Sequence, residues 1–426
     1  MQTSINTILV VHITSQNIDS IIEEIYKHSI EAREVLKTHI HETPLITNYT
    51  LNNIVGRTVY LKLENMQKTG AFKVRGALYK IHRLLGRERV KGVVAASSGN
   101  HAQGVAYAAK CYGIEAYIVM PKTASATKVN ATRGYGANVV LHGNYYDEAY
   151  EKALEIMREK KYPFIHPYDD PDIIAGQATI AHEILEHVPK PAYVIAPIGG
   201  GGLISGLAIA VKKKYPDARV IGVEPRNSPS MYMLVKQGVK EVEVKPSIAD
   251  AVVVKKPGDL TSKIIEKLVD DIVLVDEEDI SHAIAFLLER GKIVVEGAGA
   301  LPVAALLSGK IEPRDEPVIA VISGGNIDST LLSRIIVHEM AIDGRLVSII
   351  GEVYDRPGEL KKIVEIIAKH GLNIIDIRHN RWDPRISPIK AVIEVVVEAK
   401  SPEIINDVLE ELKLLGYVFA VKSHTR

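Results

Sequence analysis

Apolar residues first recur with helical spacing between Asn17 and Leu36. They fall at Ile21, Ile22, Ile25, Ile30 and Val35, a pattern that favours an amphipathic helix. Asn17 or Asp19 is suited to cap its start, because both side chains can accept a backbone N–H. The sequence therefore predicts an opening helix over residues 17–36.

The residues before this helix carry little structural signal. Residues 1–17 hold one short apolar run, IleLeuValVal at 8–11, without the basic flank of a signal peptide. The run is also too short to span a membrane. We predict a poorly specified leader over residues 1–17.

From residue 44 onward, short β-rich runs alternate with amphipathic helices, such as those predicted over 71–85 and 101–112. The strand-like runs read VGRTVYLKLE, KGVVAA, EAYIVMP, ANVVLHG, PFIH, AYVIAPIGG, ARVIGVEP, DIVLVD and PVIAVISGGN. Alternation of this kind is typical of α/β proteins with a parallel sheet, and nearly continuous apolar strands are typical of sheets covered on both faces. We predict a doubly wound α/β region ending near residue 344.

The rhythm changes after Asp343-Gly344. The last stretch reads strand (LVSIIGEV), helix (357–369), strand (NIIDIRHNR), strand (IKAVIEVVVE), helix (402–415) and strand (YVFAVK). This βαββαβ order is that of a ferredoxin-like domain. We place the domain boundary near Arg345, with one domain over 18–344 and a second over 345–426.

Glycine-rich loops follow several predicted strands, where open α/β sheets bind ligands. They read AASSGNHAQG, PIGGGGLISG and VISGGN. Bare amides and the start of the following helix suit the second loop to a phosphate. It is neither a Walker A loop, because no Gly-Lys-Ser/Thr follows, nor a dinucleotide fingerprint, because its spacing differs. Lys73, early in a predicted helix, would by itself be read as a surface charge.

The segments TGAFKVRGA, SSGNHAQGVA and GGGGLISG, in this order, resemble the threonine dehydratase and serine racemase branch of the fold-type-II pyridoxal-phosphate enzymes. Similar stretches are HPYDDPDIIAGQAT, SIADAVVVKKPGDLT, VEGAGA and VISGGN. The resemblance covers almost the whole chain. It implies a tryptophan-synthase-β-like fold with two subdomains, the smaller one inserted at about 58–160, and pyridoxal 5'-phosphate as the cofactor.

The resemblance also implies roles for individual residues. Lys73 would bind the cofactor covalently and act as the catalytic base, with Phe72 against the ring. Asn100 would bind the ring hydroxyl, Ser323 the pyridine nitrogen, and Glu296 would line the far side. The phosphate would lie among Gly199, Gly200, Gly201, Gly202 and Leu203. The substrate carboxylate would be held by Ser97, Ser98, Asn100 and His101.

The implied activity is the deamination of L-threonine to 2-oxobutanoate and ammonia, and of L-serine to pyruvate. Ser98 keeps an alternative open, because it matches the second acid/base of serine racemases; its other interpretation is a helix cap or carboxylate ligand. A serine dehydratase or a β-replacement enzyme of the same fold also remains. An amino-acid sensor with a vestigial catalytic domain is the alternative from another class.

The turn VYDRPGEL resembles the ACT domain, a regulatory module that binds amino acids. Pro357 is predicted to open a helix whose amides take a carboxylate, and Asp355 and Gly358 belong to the same turn. The resemblance implies an amino-acid effector, isoleucine in a biosynthetic enzyme, and a homo-oligomer, either a dimer or a tetramer. The alternative is a dimerisation element without a ligand.

Composition restricts the partners. Lys+Arg and Asp+Glu both number 52, so no overall field attracts nucleic acid or an anionic membrane. The single cysteine, Cys111, suits a reducing cytoplasm. No metal is predicted: Glu224 matches a cation ligand of related racemases, but Ser230 stands where a carboxylate would be expected.

Overall fold

The computed structural model describes residues 17–422. The predicted leader, apart from Asn17, lies outside the described residues. Contacts divide the chain into one unit ending at Ile327 and another beginning at Asp328. Within residues 17–422, no helix is both long and apolar enough to cross a membrane.

The elements are numbered in chain order. The strands are β1 (Leu45–Thr47), β2 (Val59–Leu63), β3 (Gly92–Ala96), β4 (Glu115–Met120), β5 (Asn138–Leu141), β6 (Tyr193–Pro197), β7 (Arg219–Pro225), β8 (Asp271–Val275), β9 (Val318–Ile322), β10 (Leu346–Tyr354), β11 (Asn373–Asn380), β12 (Lys390–Glu398) and β13 (Val418–Val421). The helices are α1 (Ile18–Leu36), α2 (Tyr49–Val55), α3 (Lys73–Arg87), α4 (Asn100–Cys111), α5 (Ala126–Gly134), α6 (Tyr146–Lys160), α7 (Pro171–His187), α8 (Gly202–Lys214), α9 (Ser230–Gln237), α10 (Asp259–Leu268), α11 (Glu277–Phe286), α12 (Gly297–Leu307), α13 (Ser329–Ile342), α14 (Glu359–Lys369) and α15 (Pro402–Leu414). Short 3-10 helices lie at Glu64–Met66 and Asp250–Val252, and a π-helical turn at Leu287–Gly291.

The first unit is built on a six-stranded sheet in the order β1-β2-β9-β6-β7-β8. Only β1 is antiparallel to its neighbour; the other strands are parallel. Strands β6 and β9 are buried along their whole length, as expected where helices cover both faces. The predicted α/β class is confirmed.

A separate parallel sheet, β3-β4-β5, forms the smaller part of this unit. Because β2 pairs with β9 in the larger sheet, the smaller part starts after β2, later than the residue near 58 that the resemblance suggested. The predicted strand PFIH is a single bridge between Val94 and Phe164. Pro163 lacks the N–H that a longer ladder at this point would need.

Helix α3 is held by a buried ionic network. Arg75, fully buried, ion-pairs with Glu64 at 2.8 Å and with Glu183 on α7 at 2.6 Å. Lys62, also buried, contacts Glu183 at 2.6 Å. Removing one member of such a network would leave an uncompensated buried charge, which is strongly destabilising. The network therefore fixes the first turn of α3, where Lys73 lies.

The second unit contains α13 and an antiparallel sheet in the order β11-β12-β10-β13. The predicted βαββαβ order is confirmed. The prediction that Pro357 opens the first helix of this motif is wrong: α14 begins at Glu359, after Gly358. Gly358 has a φ of +96°, which is not helical, so the helix starts only after it.

Candidate active site

The strand-end loops of the first unit meet around the start of α3. Ser323 follows β9, and its carbonyl accepts a hydrogen bond from the Phe72 amide at 3.1 Å. Two residues beyond Ser323, the amide of Gly325 donates to the carbonyl of Gly70 at 2.9 Å. These backbone bonds join the VISGGN loop to the residues that precede Lys73.

Lys73 is the first residue of α3. Its Nζ donates to the carbonyl of Pro167 at 2.9 Å and lies 5.1 Å from the centre of the Phe72 ring. Burial lowers the pKa of Lys73 to about 8, with a smaller opposing effect from the negative charge of Glu296. Desolvation disfavours the ammonium form, so this amine has the lowered pKa that a nucleophile or base requires at neutral pH.

Asn100 and Glu296 form a buried pair beside Lys73. The Nδ2 of Asn100 donates to Oε1 of Glu296 at 2.7 Å, although the two residues are 196 positions apart. Burial, aided by the charge of Asp250, raises the pKa of Glu296 to about 7. The site thus combines an amine and a carboxyl group whose pKa values have been brought close together.

The loop before α8 is lined by backbone amides. Among the described residues, no amide from Gly199 to Leu203 donates to another protein atom. A Cβ on Gly200 would lie 2.2 Å from the Tyr168 ring, so only glycine allows that ring to pack against the loop. Free amides at the start of a 13-residue helix fit a phosphate group, and a nearby buried amine fits the rest of the implied cofactor.

Ser97 and Ser98, in the loop after β3, differ in their contacts. The Oγ of Ser97 accepts from the Gly99 amide at 3.2 Å, and Gly99 occupies the N-cap of α4 without a side-chain cap. Ser98 therefore does not cap the helix, although its part in substrate binding or catalysis stays a prediction. His101 is buried, and its Nε2 bonds to the Ile165 carbonyl at 2.9 Å. Burial lowers the pKa of His101 to about 3, so the ring is neutral.

Three residues that contact Lys73, Asn100 or the glycine loop were not predicted from the sequence. Asn326 donates through Nδ2 to Oδ1 of Asn100 at 2.8 Å, Pro167 supplies the carbonyl that Lys73 contacts, and Tyr168 packs on the glycine loop. Asn326, Pro167 and Tyr168 all lie in segments that resemble the family. Their contacts nevertheless depend on chain crossings that local sequence does not specify.

Glu224 is buried and serves as a cap. Its two carboxylate oxygens accept the amides of Met231 and Tyr232 at 2.9 and 2.8 Å. Burial raises its pKa to about 8, against the effect of these two bonds. Within residues 17–422, no cluster of three His, Cys, Asp or Glu side chains is arranged to hold a metal ion.

The turn at residues 354–360 belongs to the second unit, and its residues 354–358 are exposed. The amide of Asp355 donates to the Ile389 carbonyl at 2.9 Å, and its carboxylate pairs with Arg381 at 3.1 Å. Gly358 is the N-cap of α14. The carboxylate of Asp355 is therefore already paired, and a ligand role for Asp355, Pro357 and Gly358 stays a prediction.

Residues 36–324 match the family of pyridoxal-phosphate dependent enzymes. The L-threonine ammonia-lyase of Thermotoga maritima is 47% identical over 388 residues, which cover 91% of this chain and 96% of that protein. The structure of the processed form of threonine deaminase isoform 2 from Solanum lycopersicum superposes with a TM-score of 0.70 at 36% identity, covering 75% of this chain and 88% of the other. The structure of maize serine racemase superposes with a TM-score of 0.69 at 34% identity, covering 74% of this chain and 98% of the other.

Proposed function

The chain belongs to the family of pyridoxal-phosphate dependent enzymes, and from this premise we propose that it deaminates L-threonine to 2-oxobutanoate and ammonia. L-Serine, converted to pyruvate, is the second substrate. The observation that carries the proposal is the buried cluster of Lys73, Asn100 and Glu296 beside a loop of free glycine amides. The 47% identity to an L-threonine ammonia-lyase over 91% of the chain supports the choice of substrate.

The residues present fit pyridoxal 5'-phosphate at both ends. The amides of residues 199–203 would hold the phosphate, and Lys73 would bind the aldehyde carbon. Asn100 would bind the ring hydroxyl and Ser323 the pyridine nitrogen, with Phe72 and Glu296 beside the ring. When bound, the cofactor withdraws electrons from the substrate and so acidifies its Cα proton.

The chain's own groups then govern the movement of protons. With a pKa of about 8 instead of 10.5, Nζ of Lys73 is neutral in about a tenth of molecules at pH 7 and can accept the Cα proton as a general base. Ser323 offers a neutral hydroxyl where a carboxylate would stabilise a protonated ring nitrogen, which favours loss of the β-hydroxyl over transamination. Ser97, Ser98 and Asn100 would hold the substrate carboxylate at the start of α4.

Serine racemisation is a second candidate, supported by one observation. Ser98 is not the N-cap of α4, because Gly99 occupies that position, so helix capping does not account for a serine at residue 98. Its hydroxyl would then exchange a proton at Cα from the face opposite Lys73. The 34% identity to maize serine racemase agrees with this alternative.

One assay separates these activities. Purified protein with pyridoxal phosphate is incubated with L-threonine or L-serine, and 2-oxo acid and D-serine are measured together. We expect 2-oxo acid from both substrates, at a higher kcat/KM for threonine. D-Serine as the main product would favour the racemase, and the absence of any 2-oxo acid would reject the dehydratase. A vestigial catalytic domain would give neither product.

The second unit would regulate this activity. Its turn at 354–360 would bind an amino acid, isoleucine in a biosynthetic enzyme, and act through a homodimer or homotetramer in the cytoplasm. Titrating isoleucine and valine into the threonine assay tests this proposal. A change in activity with isoleucine that Gly358→Val abolishes would support it. An unchanged rate with every amino acid tested would leave the unit as a dimerisation element.

A further inference from the structure

We infer that Asn326 is a positioning residue that fixes the orientation of the Asn100 carboxamide. The inference rests on the role proposed above for Asn100 against the cofactor ring. Asn326 touches neither Lys73 nor the glycine loop by any hydrogen bond among the described residues. It would therefore act through Asn100.

The two amide hydrogens of Asn326 are both used. Its Nδ2 donates to the Thr69 carbonyl and to Oδ1 of Asn100, each at 2.8 Å. A side-chain amide has only two N–H donors. The Thr69 bond ties Asn326 to the loop before Lys73, so its second donor is aimed at Asn100.

This contact defines which end of the Asn100 carboxamide faces which neighbour. In the observed orientation, Oδ1 accepts from Asn326 at 2.8 Å while Nδ2 donates to Glu296 at 2.7 Å. A flipped amide would place two N–H groups against each other and, where Glu296 is ionised, an oxygen against its carboxylate. The bond with Asn326 would be lost whatever the charge of Glu296, and leaving buried polar groups unpaired is costly.

The surroundings hold Asn326 itself in place. Gly70 has a φ of +71°, and a Cβ there would lie 2.4 Å from Oδ1 of Asn326. The adjacent backbone bond from the Gly325 amide to the Gly70 carbonyl, at 2.9 Å, joins the two loops. Asn326 therefore connects the loop before Lys73, the loop after β9 and the first residue of α4.

The test compares Asn326→Ala and Asn326→Asp in the full chain. The first removes the donor, and the second keeps the shape but replaces the donor by a carboxylate oxygen. Cofactor-free protein is titrated with pyridoxal phosphate, and the visible absorption of the bound cofactor is followed against pH. We expect pyridoxal phosphate to bind about tenfold more weakly, the effect of one lost hydrogen bond to a buried group. We also expect a shift in the pH midpoint of the bound cofactor's absorption change.

Two further variants make the result specific. Asn65→Ala is the matched control, because Asn65 donates to the Val294 carbonyl at 3.0 Å and has no bond to Asn100; its pH midpoint should equal that of the wild type. Asn100→Ala should move the midpoint in the same direction as the Asn326 variants. If Asn100→Ala leaves binding and midpoint unchanged, the proposed role of Asn100 fails. If it changes both while the two Asn326 variants do not, the inference about Asn326 alone is overturned.

Discussion

Two helices of this chain begin in the same unusual way but in different surroundings. Gly201 is the N-cap of α8 and Gly358 the N-cap of α14, with φ values of +92° and +96°. A Cβ on Gly201 would lie 2.8 Å from Ile265 and 2.9 Å from Thr261. A Cβ on Gly358 would meet no described atom within 4 Å. A left-handed glycine before a helix thus serves an enclosed loop in one unit and an open turn in the other.

The difference extends to the acidic group near each site. Glu296, buried beside Lys73, has a pKa raised to about 7 because burial disfavours its charge. Glu359, the first residue of α14, has a lowered pKa because it accepts a hydrogen bond from Tyr417 and contacts Lys362. Shared backbone geometry therefore does not identify a catalytic site. Enclosure, and a carboxyl pKa raised by burial rather than lowered by hydrogen bonds, distinguish the first loop from the second.

The difference between the loop before α8 and the turn before α14 has functional meaning only if the enclosed loop belongs to a catalytic site. Replacing Lys73 tests this first. Lys73→Ala should lower kcat/KM for threonine by about 10³-fold or more, because it removes both the general base and the covalent link. Lys68→Ala, an exposed lysine five residues earlier, is the control and should retain activity. After borohydride reduction, the cofactor label should map to Lys73 in the wild type; a label elsewhere would refute the assignment.

Gly201→Ala tests the enclosure itself. Alanine at this φ costs about 1–2 kcal/mol, and the overlap with Ile265 and Thr261 adds about 1–3 kcal/mol. Where the cofactor-free loop relaxes out of this conformation, binding must restore the strain, so we expect the dissociation constant for pyridoxal phosphate to rise about 30-fold or more, measured by titrating cofactor-free protein. Gly238→Ala is the matched control, since Gly238 has a φ of +72° with no described atom within 4 Å of its Cβ. Equal losses in both variants would show that enclosure is irrelevant.

Glu296→Gln tests whether burial raises the pKa of the carboxyl group beside Lys73. The folded pKa of about 7 lies above the ordinary value of 4.5, so the folded protein keeps this proton while the unfolded chain releases it. Between pH 4.5 and 7 the free energy of unfolding should therefore fall as pH rises, by about 3 kcal/mol from this group. In the glutamine variant this contribution disappears.

The measurement is denaturant unfolding of the cofactor-free protein at pH 5 and pH 8. Glu151→Gln, on the exposed face of α6, serves as the control and should keep the wild-type pH dependence. If Glu296→Gln also keeps it, Glu296 is ionised in the folded protein across this range and does not have the pKa assigned here.

How far the sequence predicts this site depends on whether a feature is local. The alternation of apolar runs predicted β6 and β9, and consecutive glycines predicted the loop before α8. The bond between Asn100 and Glu296 joins residues 196 positions apart, so local patterns could not have indicated it. The start of α14 was misplaced because a proline suits the first turn of a helix, whereas the left-handed Gly358 that follows it prevents helix formation there.

Gly358→Ala should give the smallest effect. Only the backbone conformation is strained, because the added methyl group meets no described atom within 4 Å, so the cost should be about 1–2 kcal/mol. Amide hydrogen exchange in α14, measured on the full chain, should accelerate by about 5–30-fold where it occurs through opening of this unit. Exchange in α8 should not change. The loss of stability in Gly358→Ala and the loss of cofactor binding in Gly201→Ala can both be expressed in kcal/mol. If the two losses are equal, the strained backbone accounts for both effects, and the neighbours of Gly201 contribute nothing further.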